Sequence, residues 1–300
     1  MKVKSMISLL LLPVIWGCYY VASHRAVEGL SVFSVGVIIR FITMILLTIM
    51  MIQKKEIHLL LRTQGVIKRL LLIGLLGFLL DLTAFLGLSF SSAGSGTALL
   101  KCDIIFVNLI SVIIYKEKFT KKDWMFSGVM LFGVMMVMGV DLRQLQFGGI
   151  GNIFFILSAL FISINAFIIK SVQLDKKNPM NDNVVAYYNN FVTMLLFLIS
   201  SFIMGTVGEI RELANDKGSM IAVLCVGVGQ TLVYVVYYYN LRRFPVWIVK
   251  VALLLMPIVA ALVSYVLFGE EMKSYQYIGM LIVLGGAFGV LLEQRNKAQK

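Results

Sequence analysis

The stretch IIYKEKFTKKDWMFSGVMLFG, at Ile113–Gly133, has a second copy later in the chain. The copy is YVLFGEEMKSYQYIGMLIVLGG, at Tyr265–Gly286, and the two align without gaps once Glu117 is set on Glu270. Both copies begin at the end of an apolar run, cross a polar segment and enter another apolar run. Self-similarity at a long, fixed spacing is typical of a chain built from two related halves.

A second pair of segments supports the repeat. RFITMILLTIM begins at Arg40 and NFVTMLLFLIS begins at Asn190, and Phe, Thr and Met fall at matching positions in both. The two pairs of segments keep the same order along the chain. We therefore predict two five-helix repeats, at residues 1–145 and 146–300.

Composition identifies the class of protein. Hydrophobic residues make up 60% of the 300 residues and charged residues only 14%, whereas about a quarter of a soluble domain is charged. The chain is therefore predicted to be an integral membrane protein. The net charge of +12 does not indicate nucleic-acid binding, because the basic residues interrupt apolar runs and form no basic face. Cysteines 18, 102 and 225 show neither CxxC nor Cys/His spacing, so no disulfide framework and no metal site are predicted.

Ten apolar runs have about the ~20 residues that a helix needs to cross a bilayer. The fold class is accordingly all-α, with ten transmembrane helices in two inverted five-helix repeats. Gly285 and Gly289, four residues apart in the last run, are predicted to pack against another helix. The runs are 6–23, 31–52, 69–89, 96–115, 124–140, 150–170, 184–205, 219–239, 246–268 and 276–292.

The distribution of Lys and Arg orients the chain. If the N-terminus is cytoplasmic and each span reverses the side, 19 basic residues are cytoplasmic, five are outside and three lie within spans. This excess follows the positive-inside rule and predicts a multi-pass plasma membrane protein with both termini in the cytoplasm. Five spans per half invert the second half. KEKFTKKD, with four basic residues, is thus predicted inside, and GEEMKS, with one, outside.

Several motifs resemble one transporter family. Trp16-Gly17 lies in span one, Arg40 opens RF in span two, and YKEKFTKKDW and FGEEMKSYQYIG precede spans five and ten. In this placement they resemble the EamA branch of the drug/metabolite transporter superfamily, over nearly the whole chain. The resemblance implies a ten-helix exporter or permease of metabolites, often amino acids, with a cavity lined by both halves. The first half departs from the family pattern at Phe126, which aligns with Gly279 of the second half.

Ionisable side chains within the spans are the main functional candidates. A charge at the bilayer centre costs about 2.5–3.5 kcal/mol on insertion scales and usually marks a substrate or proton path. The alternative is a structural role, in which ion pairs hold the spans together. The candidate substrate or proton pathway consists of Asp103, Lys101, Asp81, Arg40, Lys250, Trp16, Tyr20, Asn190, Gln230 and Tyr234.

Helix geometry predicts how these charges pair. Lys101 and Asp103 are two residues apart, which is about 200° of rotation, so they cannot pair within one helix. If spans three and four form an antiparallel hairpin, Asp81 and Lys101 lie at the same depth and are expected to pair. Asp103 is then left for Arg40 or Lys250. Changing Asp103 to Asn is predicted to abolish transport and leave folding intact.

Aromatic residues form a second group of candidates. Tyr234 shares a helical face with the tyrosines that follow one turn later. Because Tyr and Trp favour the membrane interface, Tyr237–Tyr239 and Trp247 are interpreted as an interfacial belt. Tyr234 and Trp16 lie deeper in their spans and are predicted to line the cavity.

These features predict a secondary-active transporter that exports amino acids or related small metabolites by alternating access. No Walker loop or hydrolase motif is present, so neither ATP hydrolysis, an enzyme nor a cofactor is predicted. The expected partners are a small metabolite and the lipid bilayer. Proton coupling, the direction of transport and the oligomeric state stay open. The alternative is a membrane-embedded enzyme or lipid-handling protein. An enzyme would be expected to gather His, Asp or Cys at one membrane face, and this sequence shows no such grouping.

Overall fold

The computed structural model describes residues 3–26, 31–90, 99–139, 149–209, 217–269 and 271–298. These residues form helices with short connections, and none of them lies in a strand. A 3-10 helix, Ile57–Leu61, lies between α2 and α3. The α-helices are α1 (Val3–Ala26), α2 (Val32–Gln53), α3 (Ile67–Phe90), α4 (Asp103–Ile113), α5 (Lys121–Val137), α6 (Ile150–Gln173), α7 (Asp182–Ile203), α8 (Lys217–Arg243), α9 (Val246–Leu253), α10 (Met256–Phe268) and α11 (Ser274–Ala298).

Every one of the ten predicted apolar runs contains a helix, and the ninth contains two, α9 and α10. A helix suits these runs because it satisfies its own backbone hydrogen bonds, which lipid cannot do. The structure thus agrees with an all-helical membrane protein. Within the described residues, five helices are long and apolar enough to cross a membrane: Val32–Gln53, Ile150–Gln173, Asp182–Ile203, Val223–Arg243 and Val246–Leu267.

The chain divides into two compact units. Unit 1 consists of Met1–Asp81 and Asn165–Phe244, and unit 2 consists of Leu82–Ile164 and Pro245–Lys300. Two of the three boundaries fall inside α3 and α6, and the third lies between α8 and α9. Each unit therefore takes elements from both halves of the sequence, and the division into compact units differs from the division into predicted repeats.

Unit 1 is held together by close helix approaches at small residues. α2 packs on α7 and α8, and α1 packs on α8. Thr43 of α2 lies with its Oγ1 3.4 Å from the carbonyl oxygen of Gly227 in α8. Thr193 of α7 donates through Oγ1 to the carbonyl oxygen of Gly74 in α3, at 2.9 Å. Glycine permits these approaches because it has no side chain, and the hydroxyls add hydrogen bonds between helices.

A connection outside the spans also stabilises unit 1. Arg69 at the start of α3 donates from Nη2 to Asp175 Oδ2 at 2.5 Å. Asp175 also accepts backbone N–H bonds from Lys177 and Asn178, each at 2.9 Å. The hydrogen bond from Arg69, followed by those from the backbone, lowers the pKa of Asp175 to about 2. The loop after α6 is thereby tied to the start of α3.

Unit 2 is built around the pair α5 and α11. A side chain at Gly133 of α5 would meet the backbone and side chains of α11, and one at Gly279 of α11 would meet the backbone of α5. Gly289 faces the ring of Phe126, so its predicted packing role agrees with the structure. The same prediction for Gly285 is wrong, because no atom lies within 4 Å of the place where its Cβ would be.

Two of the predicted spans are interrupted by a turn. In span nine, α9 ends at Leu253 and α10 begins at Met256 after a turn. Pro257 explains this break, because proline lacks the N–H that would bond the preceding turn and favours the first turn of a helix. In span four, a turn at Lys101 and Cys102 precedes α4. No proline marks this second break, and the sequence did not predict it.

Candidate functional site

The ionisable residues of the spans form two clusters, and each cluster lies within one unit. The first, called here the Arg40 cluster, consists of Arg40, Asp81, Asn190, Gln230 and Tyr234 in unit 1. The second, called the Asp103 cluster, consists of Lys101, Asp103, Lys250 and Met256 in unit 2.

Arg40 is the centre of the first cluster. From α2 it donates through Nη2 to Asp81 Oδ2 at 2.5 Å and through Nη1 to the hydroxyl of Tyr234 at 2.7 Å. The Arg40 and Asp81 side chains are only 11% and 29% exposed. A guanidinium is planar and presents several donors in fixed directions, so a single arginine can hold both partners at once.

Polar neighbours complete the Arg40 cluster. Asn190, fully buried in α7, donates from Nδ2 to the carbonyl oxygen of Arg40 at 2.8 Å. Its Oδ1 is buried and has no hydrogen-bond partner in the part of the chain that the structure describes. Gln230 lies beside Tyr234. The structure therefore brings together four of the predicted candidates around Arg40.

The predicted pairing of Asp81 with Lys101 is wrong. Asp81 pairs with Arg40, while Lys101 lies with its Nζ 3.8 Å from Met256 Sδ. The prediction used depth in the membrane alone. A helical side chain also has a direction around the helix axis, and packing decides which neighbour it meets.

Asp103 and Lys250 form a buried ion pair in unit 2. Lys250 Nζ donates to Asp103 Oδ2 at 2.8 Å, and the two side chains are 1% and 12% exposed. Of the two partners predicted for Asp103, Lys250 is thus the correct one. Asp103 lies in the first turn of α4 and Lys250 in the last turn of α9. Both positions are favourable, because a helix has positive character at its N-terminus and negative character at its C-terminus.

The two helix breaks fall at matching positions of the repeat. With Glu117 set on Glu270, the turn at Lys101 and Cys102 aligns with the turn between α9 and α10. Interrupted spans at corresponding positions in two halves are a recognised feature of transporter binding sites near the bilayer midplane. The Asp103 cluster lies directly at these breaks.

The Asp103 cluster has more basic than acidic side chains. It contains the two lysines and one aspartate, and the carboxylate pairs with Lys250. The thioether of Met256 is only a weak acceptor for the Lys101 ammonium. A further anionic group would be favourable beside Lys101, because the Asp103 carboxylate already accepts from Lys250.

The tyrosines of α8 are more buried than predicted. Tyr237, Tyr238 and Trp247 are 6%, 0% and 5% exposed, so these three do not form a belt that faces lipid. Tyr239, the fourth residue of the predicted belt, is only half-buried. Tyr237 makes an edge-on contact with Trp16, with ring centroids 5.3 Å apart. The side chain of Tyr20, another candidate, lies outside the described residues.

Asn189 is a functional candidate that the sequence-based selection left out. It donates from Nδ2 to the Tyr238 hydroxyl at 2.6 Å, and its Oδ1 accepts from Thr193 at 3.3 Å. The sequence does contain a signal for Asn189, because it is one of two adjacent asparagines in an apolar run. Only the second of them, Asn190, is among the predicted candidates. Among the described residues, no group of three or more His, Cys, Asp or Glu side chains is placed to hold a metal ion.

Comparison with known proteins gives three similarities. The EamA-like transporter family matches residues 3–139 and 149–292. YxxF of Bacillus subtilis (strain 168), an uncharacterized transporter, is 24% identical over 199 residues, or 65% of this chain, and the chain covers 60% of that relative. A chain in a crystal structure superposes with a TM-score of 0.78, over 99% of both chains at 14% identity, which shows a likeness of fold.

Proposed function

Because the chain belongs to the EamA-like transporter family, we propose that it is a secondary-active exporter of amino acids or related small metabolites. The family consists of transporters, so the chain is not an enzyme. The observation that carries the proposal is the buried Asp103–Lys250 pair at two matching helix breaks. In this proposal, alternating access exposes the site to each side of the plasma membrane in turn, without ATP.

Reciprocal contacts in unit 1 support an inverted repeat. Thr43 corresponds to Thr193 in the repeat, and Gly74 corresponds to Gly227 when the register of Glu117 and Glu270 is extended. Thr43 of the first half contacts Gly227 of the second, and Thr193 of the second contacts Gly74 of the first. A two-fold relation between the halves requires this exchange of partners.

Unit 2 shows the same reciprocity. Gly133 corresponds to Gly286, Met130 to Val283, and Phe126 to Gly279. A Cβ on Gly133 would meet Val283 and the carbonyl oxygen of Gly279, and a Cβ on Gly286 would meet Met130 and the carbonyl oxygen of Phe126. With five spans in each half, a two-fold relation places the second half upside down, as expected for an alternating-access carrier.

The charges support a substrate that carries a carboxylate. Lys101 lies at a helix break beside a weak acceptor, and a substrate carboxylate there would balance the excess of basic side chains. A substrate ammonium could in turn be accepted by Asp103. Zwitterionic metabolites such as amino acids have both groups, which is why we favour this substrate class.

The test is transport by a variant in which the ion pair is replaced as a whole. Asp103→Asn alone removes the carboxylate that accepts from Lys250 Nζ, and breaking a buried ion pair on one side costs about 3–5 kcal/mol. Transport by that single variant would therefore not separate a functional loss from a loss of stability. Asp103→Asn/Lys250→Met removes both charges. We expect this variant to fold and to lose counterflow of radiolabelled amino acids in liposomes, measured with and without a proton gradient.

Lys122→Gln/Glu293→Gln is the matched control, because it removes a more exposed ion pair of the same unit, 3.8 Å long. The control should transport at the wild-type rate. Wild-type flux in the folded Asp103→Asn/Lys250→Met variant would show that the pair is structural. Absence of flux of any amino acid in wild-type liposomes, together with turnover of a lipid, would refute the proposed transport function.

A further inference from the structure

A polar pocket of about 540 Å³ lies in unit 1 where α2 ends, α7 begins and α8 ends. It is separate from the Arg40 cluster and shares no residue with it. Its charged lining consists of Lys54, Glu56, Asp182, Arg242 and Arg243. Since three helix ends meet here, the pocket lies where apolar spans give way to polar connections, at one boundary of the membrane.

The two carboxylates of the pocket already have partners. Glu56 accepts hydrogen bonds from the amides of Asn181, at 3.0 Å, and Asn183, at 2.5 Å. Asp182 accepts from Arg242 Nε at 2.5 Å and from Gln173 at 2.8 Å. Their lone pairs are thus engaged by the protein, and neither carboxylate needs a cation from outside.

Two further basic side chains of the pocket, Lys54 and Arg243, are at least one-third exposed. Lys54 is exposed and has no carboxylate partner within the described residues. The guanidinium of Arg243 lies 3.4 Å above the ring of Tyr239 and donates to the Tyr239 carbonyl oxygen at 3.0 Å. It is 37% exposed, and Asp182 is 3.8 Å away. Stacking fixes this guanidinium before any ligand arrives, which lowers the cost of binding an anion.

An apolar stripe on α8 leads into the pocket. Four residues on one face of α8 are between 46% and 63% exposed. Their spacing of three and four residues continues to Val235 and Tyr239, which line the pocket. The stripe therefore forms one surface with the polar pocket at its end. Its exposed residues are Ile221, Leu224, Val228 and Leu232.

We propose that the pocket binds the phosphate-bearing headgroup of an anionic membrane lipid, with an acyl chain along the α8 stripe. Lys54 and Arg243 bind the phosphate, and the apolar face receives the chain. A soluble phosphate would use only the basic end, whereas the structure provides both parts. Basic pockets at helix ends are suited to anionic headgroups, because the surface of the cytoplasmic leaflet attracts basic residues.

The proposal is tested by titrating the purified full-length protein in detergent with dioleoyl phosphatidylglycerol or dioleoyl phosphatidylcholine and counting bound lipids by native mass spectrometry. We expect the wild type to prefer phosphatidylglycerol about 25-fold, from roughly fivefold for each of the two basic residues. In Lys54→Gln/Arg243→Gln the preference should fall to within about twofold.

Arg62→Gln/Lys68→Gln is the matched control, because it removes two exposed charges from the nearby connection but none from the pocket. It should keep the wild-type preference. Equal loss in both double variants would indicate general surface charge and overturn the proposal. A wild-type protein that binds both lipids equally would also overturn the proposal. This measurement does not depend on the folding of any variant. Competition by glycerol 3-phosphate at equal concentration would mean a soluble-anion site.

Discussion

Charges within the spans find their partners on helices far away in sequence. Arg40 and Asp81 are 41 residues apart, and Asp103 and Lys250 are 147 apart. The sequence identified all four residues, because a charge in an apolar run is conspicuous. It did not identify the partner of Asp81, because depth can be read from position in a run but direction around the helix cannot. Met256 was missed because a methionine in an apolar run carries no signal.

Asp175 gives a pH-dependent prediction for a single residue. Its folded-state pKa of about 2 lies below its ordinary value, so protonation favours unfolding. The stabilisation is complete above about pH 4 and is lost as the pH falls towards 2. Asp175→Asn should therefore lower Tm at pH 7, and the Tm difference from wild type should close between pH 4 and pH 2.

The measurement is thermal unfolding in detergent over this pH range. Arg69→Gln serves as the companion variant, since it removes the donor of the 2.5 Å bond. A Tm difference for Asp175→Asn that stays constant down to pH 2 would contradict the assignment of the stabilisation to this carboxylate.

Helices of this protein were predictable as elements, but their interruptions and contact faces were not. Pro257 indicates the break before α10, whereas no proline lies near the break at Lys101. The two glycines of the last span also show that contact faces were not predictable from sequence. Gly285 and Gly289 are alike in sequence, yet only Gly289 faces another helix.

The close approach of α5 and α11 leads to a prediction for one glycine. A Cβ at Gly279 would lie 2.7 Å from the carbonyl oxygen of Gly133 and 2.8 Å from the backbone nitrogen of Val137. Backbone atoms cannot move aside, so Gly279→Ala should destabilise the packing by about 1–3 kcal/mol. Thermal unfolding in detergent measures this loss.

Gly285→Ala is the control in the same helix. Its Cβ would meet nothing within 4 Å, and alanine favours a helix over glycine by about 0.5–1 kcal/mol. Its Tm should thus be unchanged or higher. Equal Tm values for the two variants would argue against tight packing at Gly279.

The whole molecule combines two different divisions of one chain. The proposed repeats divide the chain into halves, whereas each compact unit takes segments from both halves. In the proposed repeat, Thr43 and Thr193 exchange partners between the halves, which accounts for segments of both halves lying in unit 1. Motif resemblance predicted the EamA family, and the family match confirms it.

The proposed inversion of the repeats predicts the side of each corresponding loop. In a background with the three cysteines replaced by serine, Lys121→Cys should be labelled by an impermeant maleimide only from the cytoplasmic side. Lys273→Cys should be labelled only from outside. Right-side-out and inverted vesicles provide the measurement, and both lysines are exposed. Labelling of the two positions from the same side would exclude inverted repeats.

Sequence by itself determined the class of protein, the helical runs, the family and the set of charged residues within the apolar runs. These follow from composition and local pattern, because a backbone in lipid must form its hydrogen bonds within each helix. Tertiary structure alone decided the partners of Asp81 and Asp103, the compact units, the packed glycines and the pocket beside Arg243. Each of these depends on which helix faces meet, and residues distant in sequence share such a face only once the chain is packed.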